Sequence, residues 1–147
     1  MSNVVILFAP EKSPVKEQAK AVADAISSKE WKVSIKSAAK SHIPELAPAD
    51  IMIFGSGDTK IPASEGEYKE LFRAFEGVNF AGKIAAVFSE TGSSFDSELV
   101  KTLEDSDAAL FQPVLSFSGS QINKKTMTDW VKKLFAFFKE YRSTRNV

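Results

Sequence analysis

The stretch Asn3-Val4-Val5-Ile6-Leu7-Phe8-Ala9 is apolar at every position after the first. Its length suits a strand and is too short for an ordinary helix. Side chains of a strand alternate between two faces, so an unbroken apolar run means that both faces are covered, as in a parallel sheet held between two layers of helices. Two later runs, DIMIFGS (50–56) and KIAAVFS (83–89), have the same character, and LFQPVLSFSG (110–119) reads as one further strand. WKVSIKS (31–37) instead alternates Val33 and Ile35 with polar neighbours, the pattern of a half-exposed edge strand.

Between these runs the apolar residues recur at helical spacing. Pro14 to Ser28 carries Ala19, Val22, Ala23 and Ile26 on one face, with Ser13 placed as N-cap and Pro14 at the first helical position. Further helices are expected near Glu65–Phe75, near Asp96–Leu103 and over about Lys124–Tyr141. SHIPELAPAD (41–50), with two prolines, suits a short helix or an irregular crossover. Strands alternating with helices over one domain's length predict a three-layer α/β/α sandwich with a five-stranded parallel sheet, residues 1–147 forming a single domain. In the common strand order 2-1-3-4-5, a ligand sits beyond the carboxyl ends of strands 1, 3 and 4. Those ends are the segments 10–15, 56–64 and 89–97.

Composition narrows the chemistry. Lys plus Arg and Asp plus Glu both number 19, so no net field draws nucleic acid, and no such partner is expected. The absence of cysteine excludes thiolate catalysis, disulfides and iron–sulfur ligation, leaving redox work to a bound cofactor. Ser89 and Ser93 have no histidine and acid at triad spacing, and His42, the one histidine, lies beside Pro44 in a polar connection that suits a surface side chain. With neither a leader-like start nor an apolar run of roughly 20 residues, a cytoplasmic protein without membrane contact is expected.

Two families share the strand order. Receiver domains need an acidic pair after strand one, an aspartate ending strand three and a lysine ending strand five. Here those places hold only Glu11, an Asp58 displaced beyond a glycine turn, and Ser116-Phe117-Ser118. The better match is to the second family. VVILFA with a six-residue loop and an alanine-rich helix, ADIMIFGSG, GEYKELFRAFEGVNFAGKIAAVFSETGSSF and ALFQPVLSFSG together resemble flavodoxins over nearly the whole chain.

That resemblance implies FMN binding and electron transfer, with a redox protein as partner. It places Lys12 and Ser13 near the FMN phosphate. Ser56, Asp58, Thr59 and Ile61, with Glu90, Thr91, Gly92 and Phe95, fall on the two loops that hold the flavin ring, Phe95 where many members stack a tyrosine. Glycines 55 and 57 are expected to form the turn after strand three. Phe95 has a second reading, as the apolar residue before an Asp96 cap that packs on Val100.

The phosphate loop departs from the family's hydroxyl- and glycine-rich pattern. Its six positions are Pro10, Glu11, Lys12, Ser13, Pro14 and Val15. A phosphate is held by hydroxyls, open N–H groups and a helix N-terminus. Two prolines remove N–H donors, Glu11 repels the anion, and only Ser13 keeps a hydroxyl, while Lys12 offers one cation. Losing two or three charge-assisted hydrogen bonds of roughly 1.5–3 kcal/mol each weakens binding by orders of magnitude. The loop therefore also suits a cofactor-free interaction or regulatory module. The wide stripe Trp130, Val131, Leu134, Phe135, Phe137, Phe138 and Tyr141 on the last helix adds a candidate surface for self-association through Phe135 or Phe138.

Overall fold

The computed structural model describes residues 2–9, 15–26, 31–57, 68–75, 77–90, 95–112, 114–117 and 123–145, with backbone alone at 2, 90, 95–99 and 144–145. The strands are β1 (Ser2–Ala9), β2 (Trp31–Ser37), β3 (Ile51–Ser56), β4 (Ile84–Glu90), β5 (Ala109–Leu110) and β6 (Leu115–Phe117). The helices are α1 (Val15–Ala25), α2 (Ile43–Leu46), α3 (Lys69–Phe75), α4 (Phe95–Asp105) and α5 (Lys124–Arg145), with a 3-10 turn at Ala38–Lys40. Every strand pair is parallel, in the order β2-β1-β3-β4-β5, and β6 also lies on β4. This is the predicted doubly wound sheet.

The continuous apolar runs feed two cores by simple alternation. Val4, Ile6 and Phe8 of β1 join Ile51, Ile53, Ile84, Ala86 and Phe88 beneath α1 and α5. Val5, Leu7 and Ala9 join Met52, Phe54, Ala85 and Val87 on the opposite face, under Leu46, Leu71 and Leu103 of α2, α3 and α4. All six residues of β3 are buried. β2, at the edge, is buried only in part, and its Ile35 stays 36% exposed.

Polar pins fix the amino-terminal edge of the sheet. The Asp50 carboxylate accepts from the Asn3 N–H at 2.8 Å and from the Arg142 guanidinium at 2.9 Å, joining β1 and the end of α5 to the start of β3. Lys83 Nζ donates to the carbonyls of Ala47 and Ala49 at 2.6 and 2.7 Å. Burial of this ammonium lowers its pKa from the ordinary value of 10.5, and the nearby Asp50 charge opposes the shift. α5 opens on an Asn123 cap, whose Oδ1 accepts the Thr126 N–H at 3.0 Å.

Two expectations need correction and a third is refined. The run 110–119 forms two short strands instead of one: β5 ends at Leu110, and pairing with β4 resumes at Leu115. Pro113 lies in the interval, and a proline has no N–H for the ladder. Gly55 belongs to β3 and not to the turn after it. Its missing Cβ leaves room for the Phe88 ring, which lies directly against its Cα, so close approach and not turning explains this glycine. The third point concerns Phe95: the helix expected near Asp96–Leu103 spans Phe95–Asp105, and the packing of the Phe95 side chain on Val100 lies outside the described residues.

Candidate functional site

The register brings the carboxyl ends of the central strands into one line. Ala9 pairs with Ser56 and Ser56 with Ser89, while Glu90 lies opposite Phe117. The chain continues across this crest: the Gly57 N–H donates to the Ala9 carbonyl at 2.9 Å, holding the first residue beyond β3 against the end of β1. α1 follows β1, and α4 follows β4, so both helix N-termini lie at this same edge and direct their positive dipole ends toward it.

Beneath the crest, Tyr68 pins the two strands that carry it. Its ring is 3% exposed, and its hydroxyl lies 3.0 Å from the Gly55 carbonyl and 3.1 Å from that of Leu7. One proton shared between two carbonyls ties the residue before α3 to β1 and β3 together. Tyr68 lies within the helix expected near Glu65–Phe75. The signal for its second role is the phenolic hydroxyl, which needs a partner once the ring is buried.

The structure places the named site residues unevenly. Ser56 ends β3 and is 4% exposed, and the backbone of Glu90 ends β4 directly across from Phe117. Phe95 opens α4 at the same edge. Lys12, Ser13, Asp58, Thr59, Ile61, Thr91 and Gly92 lie outside the described residues, as do the side chains of Glu90 and Phe95. Ser89 is fully buried, which removes it as a nucleophile open to substrate, and His42 is exposed. Among the described residues, no group of three or more His, Asp or Glu side chains is placed to hold a metal ion. No helix among them is long and apolar enough to cross a membrane.

A cavity of about 560 Å³ lies elsewhere, between the carboxyl ends of α3 and α4, at the opposite edge of the sheet. Lys69 and Arg73 line it together with Asp105 and Asp107, two charges of each sign. The crest is where helix dipoles, strand ends and loops converge. For FMN, the donor set of residues 10–15 does not match tight phosphate capture, and the ring-side positions Asp58, Thr59, Ile61, Thr91 and Gly92 lie outside the described residues.

By sequence, no protein-family model and no curated protein matches the chain. By structure it is similar to the flavodoxin of Streptococcus pneumoniae TIGR4, with a TM-score of 0.78 and 17% identity over 92% of this chain and 99% of that one. Oxidised flavodoxin 2 from Bacillus cereus gives a TM-score of 0.75 and 18% identity over 95% and 99%. Rubredoxin:oxygen oxidoreductase from Desulfovibrio gigas gives 0.80 and 14% identity, where 95% of this chain matches 37% of that larger one. Strand order, layers and the extent of these matches agree: the chain has the flavodoxin-like fold.

Proposed function

We propose that the protein binds a flavin at the crest, holding it chiefly by its ring system, and passes electrons through it to a redox partner protein. The observation that carries this reading is the alignment of Ala9, Ser56 and Ser89 with Gly57 bonded back to β1, which brings three strand ends and two helix N-termini to one edge of the sheet. Similarity to flavodoxins over nearly the full length of both chains supports it. A bound flavin supplies one- and two-electron chemistry. The chain's contribution is to position and shield it. Lys12 and Ser13 serve the phosphate end, Ser56, Asp58, Thr59 and Ile61 the ring on one side, and Glu90, Thr91, Gly92 and Phe95 the ring on the other.

The test is a difference spectrum with added FMN together with the melting temperature. Binding perturbs the flavin absorbance bands and raises Tm with ligand concentration. No spectral change and no rise in Tm at millimolar FMN would contradict the proposal. A second reading, a cofactor-free module that binds a regulatory partner, has one specific observation in its favour: the proline-containing first loop. Purification of the protein with stoichiometric flavin would end it.

A further inference from the structure

We infer that the groove between the carboxyl ends of α3 and α4 binds a zwitterion, an α-amino acid with a large apolar side chain, its carboxylate taken by Lys69 and Arg73 and its ammonium by Asp105 and Asp107. The groove measures about 560 Å³, within the size range of small-molecule sites. It lies at the edge of the sheet opposite the crest, so it does not depend on flavin binding. Its two cations stand on α3, and its two anions stand at the end of α4 and in the turn after it. Among the described residues, Lys69, Asp105 and Asp107 form no ion pair, and Arg73 reaches only Glu70 of its own helix, at 3.8 Å. Both members of that pair are largely exposed, at 73% and 82%, so it holds Arg73 weakly. The opposite charges that line the groove therefore do not neutralise one another across it.

Each sign is locally unfavourable in the protein alone. Lys69 and Arg73 are four apart on α3, an arrangement in which like charges repel. Asp105 closes α4, whose last turn has no basic residue, so a carboxylate stands at the negative end of the helix dipole. Asp107 holds a left-handed conformation, with φ at 64°. Its N–H donates to the Glu104 carbonyl and the Ala108 N–H to that of Leu103, both at 3.1 Å, in the helix ending that glycine ordinarily occupies. An aspartate at this position gives up some stability relative to glycine and adds a second carboxylate to the groove. An ammonium answers the two aspartates, and a carboxylate answers the cations, for which Arg73 offers a two-pronged donor. The apolar part of the ligand also has a wall. Phe72 packs on Tyr68 and Phe75, at 5.8 and 5.6 Å between ring centroids, yet stays partly exposed where it lines the groove with the half-buried Val78. A simple cation would leave Lys69 and Arg73 unanswered, and a simple anion would leave the aspartates so. A molecule with both charges beside an apolar group matches every wall.

Amide-resolved NMR titration of the whole chain at low salt tests the inference, with L-phenylalanine as the probe and three fragments of it as controls. Phenylalanine is expected to give saturable shifts at residues 77–79 and 105–107, with a dissociation constant in the millimolar range or below. Phenethylamine lacks the carboxylate, 3-phenylpropanoate lacks the ammonium and glycine lacks the apolar group, and each is expected to bind about threefold more weakly or worse. K69Q combined with R73Q is expected to weaken phenylalanine and leave phenethylamine unchanged. D105N combined with D107N is expected to weaken phenylalanine and leave 3-phenylpropanoate unchanged, with a melting curve near that of the parent, because asparagine also accepts the left-handed conformation. No saturable shift at about 10 mM phenylalanine would overturn the site. So would shifts confined to other parts of the protein, or an equal loss with K132Q combined with K139Q on α5, which would report only general charge. Phenethylamine or 3-phenylpropanoate binding as tightly as phenylalanine would overturn the zwitterion, and glycine doing so would overturn the apolar part of the ligand.

Discussion

Gly55 and Phe88 show how one missing side chain shapes the centre of the sheet. The Phe88 ring, fully buried, occupies the space where a Cβ at position 55 would stand, and it meets Phe117 edge-on at 5.9 Å between ring centroids. G55A should therefore overpack a core with no free volume and destabilise the protein by about 1–3 kcal/mol, as read from chemical denaturation. A variant as stable as the parent would mean that the ring has another place to go. Tyr68 makes a smaller prediction: Y68F removes the proton shared by the Leu7 and Gly55 carbonyls and should cost about 0.5–1.5 kcal/mol. For Lys83 the readout is titration. Burial sets its folded pKa below the unfolded value of 10.5, so the protonated group opposes folding, and this opposition is lifted as pH rises through the folded value toward 10.5. Lysine-resolved NMR should show Lys83 releasing its proton at lower pH than the exposed lysines. Release together with them would contradict the assignment.

At the scale of elements, the strands were the most legible part of the chain, because burial on both faces leaves a run that no amphipathic helix imitates. β2 occupies the predicted residues 31–37, and its alternation of Val33 and Ile35 matches its partial burial at the edge. The break between β5 and β6 was harder to see. Leu110-Phe111 and Val114-Leu115 stand on either side of Gln112-Pro113, so an apolar run is resumed within two residues of the point where pairing stops. Helix α5 shows the opposite difficulty. Its aromatic stripe is wide because it serves both the sheet and the edge residue Trp31, whose ring lies 4.6 Å from Phe135 and 5.0 Å from Phe138 by centroid. Phe138 is buried at 7% exposure and also lies under the Arg142 guanidinium, at 4.9 Å. F138A should thus cost about 3–5 kcal/mol and F135A clearly less, since that ring is only partly buried. We propose Phe135 as the residue through which self-association would act. A monomer by light scattering in both parent and F135A would remove that role.

For the molecule as a whole, strand order and layering follow from the alternation of runs with helices, and both are confirmed by the parallel pairings. The crest was legible as a place because strand ends locate it. Its chemistry was legible only through residue types, since the loops that would touch a ligand follow no periodicity. Asp58, Thr59 and Ile61 gain meaning from their position beyond β3, and a pinning residue such as Tyr68 becomes visible only when the carbonyls of two strands meet at one hydroxyl. The central claim is that a flavin is gripped by its ring, while residues 10–15 add little for the phosphate. Titration of FMN against riboflavin under identical conditions tests it most directly. The account predicts that both bind, with affinities within about tenfold of one another, a gap of roughly 1.4 kcal/mol. A preference for FMN of several hundredfold, or failure of both to bind, would contradict it.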